Sequence, residues 1–85
     1  MDRATLRQTL LEQLQEETGE SYASLEDDLQ LREGLGLDSI DVVTLVISVQ
    51  ERLGIELKSE ELEKVVKVGD LLDLIQAKVA KRAAA

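Results

Sequence analysis

The chain has no cysteine, no histidine, no proline, no tryptophan and no phenylalanine, and Tyr22 is its lone aromatic residue. Without cysteine there is no disulfide framework, no thiolate nucleophile and no sulfur-bound zinc. Without histidine the commonest general base and metal ligand is missing as well. The lack of proline and the small number of glycines, 5 in 85 residues, favour helices over a turn-rich sheet fold. Positive charge is also short. Ten basic residues against 18 acidic ones leave a net charge of −8, which argues against nucleic acid as a partner because phosphate binding rests on Lys and Arg. The acidity either suits basic protein partners met by electrostatic steering or simply keeps a small domain soluble. No apolar run is long enough to span a bilayer, and Met1-Asp2-Arg3-Ala4-Thr5 lacks the apolar core of a signal peptide. The expected compartment is the cytoplasm, or an organelle lumen reached by a removed presequence.

What is there is aliphatic. With 44% hydrophobic residues the chain can build one core of Leu, Val and Ile, in a single domain over 1–85 whose net stability is small at this size. Leu6, Leu10, Leu11 and Leu14 recur at helical spacing, which predicts helix I from Arg3 to Glu17 with Asp2 as N-cap and Gly19 as its stop. A long connection, Thr18 to Asp38, follows. Its Leu25, Leu29, Leu31, Leu35 and Leu37 give it an apolar side to pack, and Ser24 before Glu26, Asp27 and Asp28 is placed to start one short helical turn. Helix III is expected from Glu60 to about Val65 with Ser59 as cap. Helix IV is expected to begin near Gly69 or Asp70, with Val68, Leu71, Leu72, Ile75 and Val79 inward and Lys78, Lys81 and Arg82 near its end. The terminal Ala83-Ala84-Ala85 is expected to fray. The sum is an all-α, four-helix bundle with three longer helices, one short helix III and a long loop between helices I and II.

Helix II, predicted from Ser39 to Leu53 with Gly54 after it, carries the most information. Asp38 is its N-cap, and Asp41 three residues on completes a capping-box-like pair. Val42, Leu45, Val46, Val49 and Leu53 fall on one side as a core stripe. Ile40, Val43 and Ile47 fall on an adjacent strip edged by Thr44, Gln50 and Glu51. Either the helix is buried nearly all round, or the strip is an exposed docking patch beside Ser39.

Catalysis by this chain alone is not supported. A serine nucleophile needs an activating base, and only Lys or a carboxylate is on hand. Asp38 and Asp41 flank Ser39, but a carboxylate pair at a helix start suits capping and makes poor bases. Asp27-Asp28 and Glu60-Glu61 do not match a calcium loop, so no metal site is expected. Gly34-Leu35-Gly36 lacks the third glycine and the preceding strand of a dinucleotide site, and the lysine of a P-loop. Ser39 then reads as a residue other proteins use, or as plain helix-start chemistry. A phosphate ester on it would sit in the positive field of the helix end.

The run Leu35-Gly36-Leu37-Asp38-Ser39-Ile40-Asp41 closely resembles the prosthetic-group attachment motif of acyl carrier proteins. The likeness extends through Leu25 to Leu29, Leu53-Gly54-Ile55-Glu56-Leu57 and Val68-Gly69-Asp70-Leu71. It implies a carrier in which a phosphopantetheinyl transferase uses coenzyme A to attach 4′-phosphopantetheine to Ser39. The arm's thiol then holds acyl groups as thioesters. The resemblance implies a monomeric shuttle serving ketosynthase, ketoreductase, dehydratase and acyltransferase partners, with Asp38, Ile40, Asp41, Val43, Ile47 and Glu51 as the docking residues. It also implies a core able to admit an acyl chain. Two departures stand out. Ile40 replaces the commoner Leu, and helix II carries Thr44, Ser48, Gln50 and Arg52 where fatty-acid carriers favour acids. These changes imply weaker charge steering, more apolar contact, and a specialised lipid or polyketide pathway as an option beside fatty-acid synthesis. An aminoacyl or peptidyl carrier, and an unmodified helical interaction module, remain as alternatives.

Overall fold

Helix α1 (Arg3–Thr18) begins where Asp2 turns extended and its carboxylate accepts from the Thr5 amide at 2.7 Å. It ends at Gly19, whose amide reaches back to Gln15 O. The computed structural model describes residues 2–22 and 24–84, apart from the side chains of 82–84. Within these, α1 is followed by α2 (Ser39–Leu53), α3 (Ser59–Leu62) and α4 (Val68–Ala84). The all-α four-helix architecture expected from the periodicity is the one observed. Among the described residues no helix is long and apolar enough to cross a membrane.

The core is aliphatic. Leu6, Leu10 and Leu14 from α1 meet Leu45, Val46 and Val49 from α2 and Val68, Leu71, Leu72 and Ile75 from α4. Each such side chain contributes roughly 1.5–3 kcal/mol by leaving water. The long loop takes part as a core element, because Leu25, Leu31, Leu35 and Leu37 are buried and Leu29 is packed at the edge. That explains how a connection with no helix of its own keeps one path across the bundle.

Two devices pin the loop. The first is a backbone seam. Leu31 donates to Val66 O at 3.0 Å, Val68 to Leu29 O at 2.8 Å and Gly69 to Asp27 O at 2.8 Å, forming an isolated antiparallel bridge between Gln30 and Lys67. Gly69 is required there, since a Cβ would stand 2.9 Å from Asp27 O and 3.3 Å from its Cα. The second is a charged clamp. Arg3 donates to Asp27 at 2.9 Å, Asp73 at 2.6 Å, Gln76 at 2.9 Å and Gly69 O at 3.3 Å. Arg7 pairs with the other Asp27 oxygen at 2.6 Å and donates to Leu25 O. Arg7, then Arg3, holds the Asp27 carboxyl below the usual carboxylate range by hydrogen bonding to its ionised form.

Three expectations are corrected. Helix α3 is Ser59–Leu62, shorter than Glu60 to Val65, because the chain tightens there into bonds from Lys64 to Glu61 O and from Val65 to Leu62 O. Its N-cap is Lys58, not Ser59. The bond that closes its start comes from Glu61, whose carboxylate accepts from the Lys58 amide at 3.2 Å. Helix α4 begins at Val68, one residue before Gly69 and two before Asp70, because the Asp70 carboxylate reaches back to the amides of Val66 and Lys67 at 3.2 and 3.1 Å. In the loop, the short turn forms at Asp27–Asp28, closed by Leu29 donating to Glu26 O, and a longer turn spans 31–36. The α4 backbone continues to Ala84, while the expected fraying concerns Ala83-Ala84-Ala85, whose side chains lie outside the described residues.

Candidate functional site

The run before Ser39 has to turn sharply while burying two leucines. Leu35 and Leu37 point into the core at 8% and 6% exposure, and Gly36 between them takes φ +71°, a conformation that side-chain-bearing residues rarely adopt. Asp38 then goes extended (φ −91°, ψ −178°) and caps α2. Its carboxylate accepts from the Asp41 amide at 2.8 Å, and Asp41 accepts from the Asp38 amide at 3.4 Å. This is the reciprocal pair expected from the sequence.

Ser39 is therefore the first residue of α2, exposed, and its hydroxyl has no hydrogen-bond partner among the described residues. The free amides of that first turn give the helix end a positive field, which suits a phosphate ester. An accessible, unpaired hydroxyl in that field fits a covalent phosphodiester-linked arm. One residue away, Asp38 forms part of a cleft of about 750 Å³ whose aliphatic lining is Leu31, Leu37, Val42, Val65 and Val66. The far wall of this cleft, in the α3–α4 link, was not legible in sequence. Val65 and Val66 carry no periodic signal of their own, and the backbone seam brings them there.

Along α2 the expected docking residues share the outer surface. Ile40 is 75% exposed, Val43 54% and Ile47 47%, and Asp38, Asp41 and Glu51 are exposed with them. The reading of α2 as buried all round is thus set aside. The acid-poor positions turn out to have another use. Ser48 donates to Glu17 on α1, Arg52 pairs with Glu12 on α1 at 2.7 Å, and Gln50 accepts from the Leu57 amide at 2.6 Å. Three of the four residues that depart from an acidic helix II brace the fold, and Thr44 stands exposed without a partner among the described residues. Arg52 is the single base of α2, so its pairing leaves Asp38, Asp41 and Glu51 as the charges beside the apolar strip.

Comparison with known proteins agrees with this geometry. The family profile described as "Phosphopantetheine attachment site" matches residues 8–75. An acyl carrier protein of Saccharopolyspora erythraea is 32% identical over 85 residues, covering 100% of this chain and 90% of that protein. An acyl carrier protein of Wolinella succinogenes is 40% identical over 52 residues, covering 61% of this chain and 68% of that protein. Among solved structures, the crystal structure of an acyl carrier protein from Thermotoga maritima superposes with a TM-score of 0.87 at 31% identity, over 95% of this chain and 94% of the other. The chain belongs to the acyl carrier protein family, helical carriers that bear covalent 4′-phosphopantetheine and are not themselves enzymes.

Proposed function

We propose that Ser39 is the attachment point of the phosphopantetheine arm and that the outer face of α2 receives the partner enzymes. The observation that carries this is the coincidence on one helix of a serine hydroxyl without a partner among the described residues, a reciprocal aspartate cap beside it and three exposed aliphatic side chains along the outer face. The arm, when attached, supplies a thiol that holds acyl groups as thioesters, a group that the chain itself, without cysteine, lacks.

Each residue then has a task. Asp38 and Asp41 hold the first turn so that the Ser39 hydroxyl meets the transferase in one orientation, and they offer it anionic contacts. The Ser39 oxygen displaces the adenosine bisphosphate half of coenzyme A, forming the new phosphodiester and losing its proton. Ile40, Val43 and Ile47 supply apolar contact, and Glu51 supplies charge, for acyl-processing enzymes such as ketosynthase, ketoreductase, dehydratase and acyltransferase. The balance of three aliphatic residues and three acids on that face suits partners with an apolar patch ringed by basic residues. The cargo is an acyl chain of fatty-acid or specialised lipid or polyketide synthesis.

The test is intact-mass spectrometry after incubation with coenzyme A and a broad-specificity phosphopantetheinyl transferase. One phosphopantetheine should be added to the native chain and none to Ser39→Ala. Addition that persists in Ser39→Ala sinks the assignment.

A further inference from the structure

The cleft beside Asp38 differs from the core in that its wall is partly polar. Its lining includes Gln30, Arg32, Glu33, Asp38 and Glu63 together with the aliphatic side chains. A saturated chain laid there would cover these groups and return no hydrogen bonds, which is costly for each polar atom removed from water. A chain with neutral oxygen substituents returns them, since a carbonyl accepts from a guanidinium and a hydroxyl donates to a carboxylate. A chain ending in its own carboxylate meets three acids against one arginine and is disfavoured.

Arg32 is the distinctive member of that wall. Among the arginines whose side chains are described, Arg3 and Arg7 are held by Asp27, and Arg52 by Glu12. Arg32 alone has no partner among the described residues, although it lines the same cleft as three carboxylates. Its five N–H donors are therefore free for an incoming acceptor. We infer that Arg32 makes this cleft selective for acyl chains bearing neutral oxygens, such as 3-oxo or hydroxyacyl groups, over fully reduced chains. The inference rests on attachment at Ser39, which tethers the cargo one residue from the cleft.

The experiment loads Ser39 with an arm carrying either octanoyl or 3-oxo-octanoyl through a non-hydrolysable amide, and follows the methyl resonances of Val42, Val65 and Val66 by NMR. The 3-oxo chain should shift these methyls more than the saturated chain. Arg32→Met should abolish the 3-oxo shifts and leave the octanoyl spectrum unchanged; Arg32 is exposed and unpaired, so the variant keeps the fold. Equal shifts from the two chains, no shift with the 3-oxo chain, or 3-oxo shifts that survive Arg32→Met overturn the inference while leaving attachment intact. Failure of both chains to load, seen by mass before any spectrum, overturns the attachment reading and this inference with it.

Discussion

Helix α2 carries aliphatic residues on two sides, and they meet different fates. Leu45, Val46 and Val49 are sealed at 0%, 3% and 1% exposure, while Ile40, Val43 and Ile47 stand 47% or more in solvent. Burial of the first set explains why the helix folds onto the bundle. Exposure of the second set adds nothing to folding and costs solubility, so it points to contacts made outside the chain. Between the two sides lie flanks with polar residues committed to internal ties, Ser48 and Arg52 toward α1 and Gln50 toward the turn after α2. Substituting residues for an acidic docking helix need not therefore have changed the docking surface. Most of them changed the bracing.

The sharpest break in this comparison is expected from the sealed side. Leu45→Ala removes a fully buried side chain and should destabilise the protein by about 2–5 kcal/mol, seen as a lower urea midpoint. In a domain this small that is a large part of the total stability. The helix start, where both sides meet, should show an intermediate effect. Asp38→Ala removes the cap bond to Asp41 and should cost about 0.5–2 kcal/mol, measured the same way, and should also slow modification of Ser39.

The smallest effect belongs to the charged clamp, which stands on neither side of α2. Asp27 is held below its ordinary value by Arg7 and Arg3. A depressed folded-state value means that its contribution is fully present above the unfolded value of about 3.9 and is lost as the pH falls through the folded one. The difference in urea midpoint between the native chain and Asp27→Asn should therefore be constant near neutrality, shrink in acid below about pH 4, and diminish in high salt because Asp27 is about half exposed.

Legibility followed the range of the forces involved. Helix α2 was readable to the residue because its cap, its box partner and its stop at Gly54 are all local signals. Helix α1 was readable for the same reason, with Asp2 and Gly19 at its ends. The apolar strip was visible as periodicity, but whether it was buried or exposed depended on neighbours that periodicity does not name. The starts of α3 and α4 were missed because Glu61 and Asp70 reach backward along the chain to cap from within, and the end of α3 because the chain tightens after Leu62. The seam from the loop to Val66 and Val68, the Arg3 hub and the cleft wall were illegible, since each joins segments far apart in sequence through ordinary residues.

The division of α2 into a folding side and a docking side is tested most directly with Ile47→Asp. The measurement pairs its urea midpoint with the kcat/KM of a partner acyltransferase acting on the arm-loaded protein. Ile47 is on the exposed strip, so stability should change by less than about 1 kcal/mol, and kcat/KM should fall at least about tenfold as a central apolar contact becomes a buried charge. A large loss of stability with kcat/KM unchanged would contradict the division, because it would place Ile47 in the service of the fold.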